Sequence, residues 1–390
     1  MDIDEYENEA RRVGLTRVNW LDAPYNRLGF RHVPELTRTA KISRGAGPVV
    51  ALPRAERALD DFEFEHEGRS LDLRTMLEET CSDGFLVIHD GSVLSEHYFN
   101  GMVASDTHLL MSVSKSINAA LCGVLRGLGL VTPEDLVTDH IDQLRMTAWE
   151  GCTVQHLLDM RVGVRWDFDV DEYTILDVSD YRAHTRTDIP ADTATWARTV
   201  GLAGEHGGPF GYCSLATDVL GWALACAGGA PLPELLSEHL WSAIGAECDA
   251  EIMVDAKGFP IIEGGICATL RDVGRFGLMW LQGGSLDRRA IVPGEWAARL
   301  LARDQELIDA YGEPSQLGGP GPEAFYHDNW WVWDAERGVH VAVGMNGQNI
   351  FVHRPSRTVV AKLSTFPDAL DVDRFALQHA GISALCESLI

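Results

Sequence analysis

His108-Leu109-Leu110-Met111-Ser112-Val113-Ser114-Lys115-Ser116 opens an apolar run, rich in small residues, that reads as a buried central helix reaching to about residue 130. Ser112 and Lys115 stand three apart, one turn along the same helix face. A lysine so placed can hydrogen-bond the serine hydroxyl and remove its proton, provided that burial or a nearby cation favours the neutral amine. At a helix start, unpaired N–H groups and the positive dipole end face the same spot, where an oxyanion would develop. Spacing alone is a weak signal, since nineteen serines and four lysines in 390 residues give roughly 0.2 such pairs by chance. A Ser/Lys pair merely exposed on a helix surface is the plain alternative. Lysine is rare in this arginine-using chain, which weighs against that alternative, and the remaining segments decide between the two.

With 46% hydrophobic residues over this length, the chain can bury a large core, and two lobes are expected. A net charge of −26 and a pI near 4.8 argue against nucleic acid or an anionic membrane surface as partner. The eight cysteines stand singly, without a Cys-x-x-Cys pair, which suits neither a zinc site nor a disulfide framework. His66-Glu67 lacks a second histidine at helical spacing, and no phosphate-cradling glycine motif occurs, so no metal and no nucleotide cofactor are expected. Residues 1–12 are acidic without an apolar stretch, and no run reaches membrane-spanning length; a cytoplasmic, reduced protein is the expectation.

Residues 1–70 are polar and irregular and read as an arm packed on the main domain. Residues 84–94 read as two strands around an Asp90-Gly91 turn, the second continuing to about residue 101. Between 131 and 259 helical periodicity alternates with long polar loops, including a short threonine-capped helix at 153–160 and an apolar helix at 217–227. Residues 264–272 read as a loop leading into an amphipathic helix at 273–281. Strand-like runs follow at 330–333, 339–343, 350–353 and 359–363, then a final helix at 371–389. This order predicts an α/β lobe made of 71–130 and 260–390, interrupted by a helical lobe at 131–259.

Taken together, these segments resemble the superfamily of serine β-lactamases, penicillin-binding proteins and esterases with a Ser-x-x-Lys nucleophile. The hairpin, Ser112 with Lys115, the 153–160 helix, Tyr212-Cys213-Ser214 at the place of Tyr-x-Asn or Tyr-x-Ser, Gly264-Gly265-Ile266, Asp272 with Arg275, and the strand at 340–345 follow in the family's order. Residues 108–116, Phe210-Gly211-Tyr212-Cys213-Ser214, Trp330-Trp331, Glu336-Arg337-Gly338 and Gly344-Met345-Asn346-Gly347-Gln348-Asn349 are most similar to its 6-aminohexanoate-dimer hydrolase branch of nylon-oligomer amidases and carboxylesterases. The resemblance covers about residues 80–390. It implies a β-lactamase-like α/β fold, an antiparallel sheet flanked by helices with an inserted all-α lobe. It also implies a cofactor-free serine hydrolase that acts on a small-molecule amide or ester through an acyl-enzyme on Ser112. Two departures bear on the substrate. The Lys-Thr-Gly strand reads Ala342-Val343-Gly344, without a group to grip a carboxylate, and residues 165–187 do not match the family's pocket wall.

The resemblance assigns Ser112 as nucleophile, Lys115 as general base and Tyr212 as the donor of a proton to the leaving group, with the backbone N–H groups of Ser112 and Met345 as oxyanion hole. Gly344 would let the edge strand approach the substrate. Trp331, Asn346, Ile266, Tyr173 and Tyr181 are the expected pocket residues. Each has a plainer alternative: a core tyrosine for Tyr212, a bulge for Gly344, a core aromatic for Trp331. An acyltransferase, or a non-catalytic acyl sensor on the same fold, would use the same serine, and a homodimer is left open.

Overall fold

Side chains of the strand Gln348–His353 point alternately to two sides, and this decides the layering. Ile350 meets Gly277 of the helix Leu270–Leu281, while Phe351 packs on Trp333, which also meets His379 of the helix Val372–Glu387. A strand covered on both faces is buried along its whole length, so this one lacks the alternation of a half-exposed sheet even though Gln348, Asn349 and His353 are polar. The computed structural model describes residues 14–59, 61–183, 185–312 and 321–390. In it seven antiparallel strands lie in the order Phe325–His327, Trp330–Asp334, Val339–Gly344, Gln348–His353, Thr358–Ser364, Ser82–His89 and Ser92–Tyr98. Thr358–Ser364 pairs with Ser82–His89, so the two distant halves of the chain close into one sheet. The hairpin turn has Asp90 and Gly91 at φ 51° and 75°, as a tight two-residue connection requires.

A second sheet carries strands that local pattern does not reveal. Its order is Thr39–Ile42, Ala250–Met253, Ile266–Thr269, Thr107–Leu109. The arm thus contributes a strand of its own, Ala250–Met253 falls in the stretch expected to be helical, and Ile266–Thr269 stands where a loop was expected. These strands have four residues or fewer, too short to display a period, and Thr39–Ile42 finds its partner some two hundred positions away. The first thirteen residues of the predicted arm lie outside the described residues.

The helix Val113–Gly127 is buried on almost every side. Its small residues permit this: a Cβ on Gly123 would stand 2.5 Å from the Trp296 ring. Three polar side chains fix the helix along its length. Ser114 Oγ accepts the Ile266 N–H at 3.2 Å, Ser116 Oγ donates to the Asn329 carbonyl at 2.7 Å, and Asn118 Nδ2 donates to the Thr217 carbonyl at 3.2 Å. Both sheets and the helix Ser214–Gly228 therefore hold the element that carries Ser112 and Lys115. The threonine cap is present, with Thr153 Oγ1 accepting the His156 N–H and His156 Nδ1 accepting the Thr153 N–H. No single helix among the described residues is long and apolar enough to cross a membrane.

Candidate active site

Ser112 sits at the start of the central helix, and its side chain does not cap it. Met111 before it is held at φ 47°, a left-handed conformation that costs a non-glycine residue energy. The resulting turn leaves the half-buried Ser112 hydroxyl to Lys115, whose Nζ donates to Oγ at 3.0 Å. Nζ also donates to the Glu263 carbonyl at 2.6 Å. The lysine is 1% exposed. Burial, one of the two conditions for a basic amine, is met; the second is not, because the charged neighbour is the Glu263 carboxylate, with Oε2 3.5 Å from Nζ.

The helix start offers fewer free donors than its position suggests. The N–H groups of Val113, Ser114 and Lys115 already donate to the carbonyls of Leu110, Met111 and Ser112, which leaves the N–H of Ser112 itself. The backbone of the turn Met345–Gly347 lies beside this point, brought close by Gly344: a Cβ there would stand 2.6 Å from the Leu110 carbonyl oxygen. That turn is braced from behind. Gln348 Nε2 donates to the carbonyls of Met345 and Ser364 at 3.2 and 2.6 Å. Asn346, at φ 58°, donates its Nδ2 to the Phe366 carbonyl at 2.8 Å.

Tyr212 faces the same point. Its ring stacks on Trp331 at 5.9 Å and 7° and meets Phe168 and Tyr326 edge-on, while Lys115 Nζ lies 5.2 Å from its centroid. Burial and the Glu172 carboxylate hold the phenol well above the usual tyrosine range, only partly offset by the Ser112 hydroxyl. Tyr212 is therefore a neutral phenol, able to donate a proton but not to deprotonate Ser112. Ser112, Phe168, Tyr212, Trp331, Val343, Gly344, Met345 and Leu370 enclose a cavity of about 20 Å³, room for about one water. A cavity of about 310 Å³ adjoins it through Met345 and Leu370; Tyr173, Asn346, Asp368 and the Asp22–Arg182 ion pair (2.9 Å) line it.

The family model described as Beta-lactamase matches residues 78–379. The chain belongs to the beta-lactamase family. It is 36% identical over 364 residues to the 6-aminohexanoate-dimer hydrolase of Paenarthrobacter ureafaciens, covering 90% of this chain and 88% of that one. A solved structure from Bacillus anthracis, named after the same hydrolase, superposes with a TM-score of 0.86 at 25% identity, covering 97% and 98% of the two chains. EstCE1, "a hydrolase with promiscuous acyltransferase activity", shares the fold at a TM-score of 0.60 and 16% identity over 79% of this chain and 98% of its own. The protein is thus a serine hydrolase of the beta-lactamase family.

Against the expected set for a beta-lactamase-family site, Ser112, Lys115, Tyr212, Trp331, Gly344 and Met345 converge, and Tyr173 and Asn346 line the adjoining cavity. Tyr181 and Ile266 lie outside both cavities. Tyr181 is fully buried beneath Gly264 and stacks on Trp20 of the arm. Ile266 spends its backbone holding Ser114 and Leu110. Sequence reading missed Phe168, Leu370 and Glu172. The legible signal was Phe168, Glu172 and Leu176 at spacings of four, an acid flanked by apolar residues on one helix face. Larger grooves of about 710 and 800 Å³ lie elsewhere; the first holds Ser95, whose Oγ is 2.9 Å from His97 Nε2, away from the beta-lactamase-family motifs.

One group among the described residues has the donors of a metal site, Asp159, His327 and Asp328. It is already satisfied internally. Arg299 makes a two-pronged pair with Asp328 at 2.8 and 2.9 Å, and His327 Nδ1 is 2.8 Å from Asp159. Although burial opposes it, Asp328 and Asp159 raise the His327 pKa. The imidazolium and Arg299 balance the two carboxylates.

Proposed function

We propose that this protein hydrolyses small amide and ester bonds, short 6-aminohexanoate oligomers among them, through an acyl-enzyme on Ser112. The observation that carries this reading is the 3.0 Å contact between Lys115 Nζ and Ser112 Oγ at a cavity shared with Tyr212 and Met345. Lys115 takes the hydroxyl proton as Ser112 attacks the carbonyl carbon. The N–H groups of Ser112 and Met345 receive the oxyanion. Tyr212 gives its proton to the departing amine or alcohol and regains one from the Lys115 ammonium. Water, activated in the same way, then releases the acid. The adjoining 310 Å³ cavity, with Asp22, Asp368 and Arg182 on its wall, suits a flexible chain carrying an ammonium or a carboxylate at its end.

Steady-state turnover of p-nitrophenyl butyrate and of the 6-aminohexanoate dimer tests the reading. Repeated turnover, an acyl adduct on the Ser112 peptide by mass, and loss of both in Ser112→Ala are expected. A single stoichiometric burst would indicate an acyl sensor, and activity in Ser112→Ala within tenfold of wild type would remove Ser112 from the nucleophile role.

A further inference from the structure

Three buried carboxylates surround Lys115, and the steps above use none of them. Glu172, Asp218 and Glu263 are 1%, 0% and 5% exposed. Glu172 is fully served by donors: Trp166 Nε1 and the Ser214 N–H at 2.9 Å each, and Ser214 Oγ at 2.6 Å. The other two are not. Asp218 Oδ1 accepts the Glu263 N–H at 3.0 Å, which brings the two residues together. Asp218 Oδ2 and Glu263 Oε1 are nevertheless buried without a hydrogen-bond partner, and the Tyr181 hydroxyl that Gly264 makes room for faces Glu263. Two neighbouring carboxylates out of water do not both ionise cheaply, and orphaned oxygens mark where a proton is missing from the heavy-atom picture.

We propose that Asp218 and Glu263 share one proton, and that the charge remaining on Glu263 makes it a positioning residue that sets the pH at which Lys115 can act as base. The inference rests on the Ser112–Lys115 reading of the site. Its geometry is the 3.5 Å separation of Glu263 Oε2 from Nζ and the Asp218–Glu263 contact behind it. Burial, reinforced by the Glu263 anion, holds the Asp218 carboxyl well above the usual range, so the proton resides on Asp218. The charged and titratable groups facing this point are Lys115 from the central helix, Glu172 from Phe168–Val178, Asp218 from Ser214–Gly228, and Tyr181, Tyr212 and Cys213 from the connecting segments.

A carboxylate at this distance favours the ammonium over the free amine. Replacing it with a neutral amide releases the base at lower pH, and an opposite charge at 4–6 Å commonly moves such an equilibrium by about 1–3 pH units. In kcat/KM–pH profiles with p-nitrophenyl butyrate, Glu263→Gln is expected to shift the acidic limb down by about that amount and to keep the alkaline plateau within about tenfold of wild type. Asp218→Asn, a neutral stand-in for the protonated acid, leaves the limb in place. Infrared spectra at neutral pH show a protonated carboxyl C=O band in wild type that is absent in Asp218→Asn. The band is read without turnover, equally in Ser112→Ala, so it stands or falls apart from the hydrolase reading. It also decides the matter if Glu263→Gln fails to fold. A uniform loss across pH in Glu263→Gln, a limb shift in Asp218→Asn as large as in Glu263→Gln, or no such band overturns the proposal.

Discussion

Gly344→Ala tests the proposed oxyanion hole. Gly344 has φ −127° and ψ 150°, a conformation open to alanine, so backbone strain is not at issue. The obstacle is contact: the new Cβ would stand 2.6 Å from the Leu110 carbonyl oxygen, 3.0 Å from Gln348 Cβ and 3.1 Å from Met111 Cβ, where ordinary contact begins at 3.4 Å. Two backbone segments must therefore part by roughly 0.8 Å, and they are the two that carry the N–H groups of Ser112 and Met345. A misplacement near 1 Å costs about a hundredfold in rate, and complete loss of one oxyanion donor costs about 10²–10³ in kcat. The expected result is a kcat lower by about a hundredfold, equivalent to ~2.7 kcal/mol, with KM changed much less because the ground-state carbonyl relies little on these donors. Steady-state kinetics on the butyrate ester and the 6-aminohexanoate dimer, with thermal melting as a fold control, measure it. Gly211→Ala is the matched control, one residue before Tyr212 and with nothing within 4 Å of its Cβ; it retains activity. A Gly344→Ala enzyme within threefold of wild type would refute the placement of Met345 in the oxyanion hole.

On the proposed mechanism, Tyr212→Phe removes a proton donor that amine leaving groups need and p-nitrophenolate does not. Amide hydrolysis is expected to fall about 10²-fold or more, with the activated ester within tenfold; equal losses would take Tyr212 out of that role. Penicillin G is expected to be a poor substrate, its kcat/KM at least one to two orders of magnitude below that of p-nitrophenyl butyrate, because Ala342-Val343-Gly344 presents no cation. Parity would point to Arg182 on the adjoining cavity, whereas Arg354 lies in a separate groove with Asp90 and Arg357. His327 titrates above the ordinary histidine value when folded, so its contribution to stability is full below about pH 6.5 and is lost as pH rises through the raised value. The melting-temperature advantage of wild type over His327→Gln should shrink from pH 5 to pH 9, and a constant gap would show that His327 is not charged in the fold.

The fold was legible where a signal is local. The Asp90-Gly91 turn, the Thr153 cap and the apolar runs of the main sheet each announce themselves within a few residues, and the structure has them in place. The second sheet was not, because the pairing of Thr39–Ile42 with Ala250–Met253 has no trace in the neighbouring residues of either strand. In the candidate site, motif spacing picked out Ser112, Lys115 and Tyr212, which the fold brings together; Ile266 was picked for its place after Gly264-Gly265 and Tyr181 for its place in the variable stretch 165–187, and neither lines the cavities. Asp218 was readable in principle, as the lone acid in the apolar helix Ser214–Gly228. Glu263 was not, since nothing in Glu263-Gly264-Gly265 says that its side chain turns inward.

Electrostatics and shape then point the same way on substrate. The strand Ala342-Val343-Gly344 beside the site is apolar, and the buried ionisable groups around Lys115 are the acids Glu172, Asp218 and Glu263. On the proposed mechanism the N–H groups of Ser112 and Met345 at the 20 Å³ cavity are taken up by the reacting carbonyl and Lys115 by Ser112, so a carboxylate beside that carbonyl would lose its water without a further partner, a cost that a neutral scissile amide or ester does not meet. On the proposed reading, a charge on the substrate sits at the far end of a chain, in the adjoining cavity where Asp22, Arg182 and Asp368 can meet it. A linear oligomer with its charges several methylenes from the bond being cut satisfies both conditions. A fused lactam with a carboxylate beside its reacting carbonyl satisfies neither.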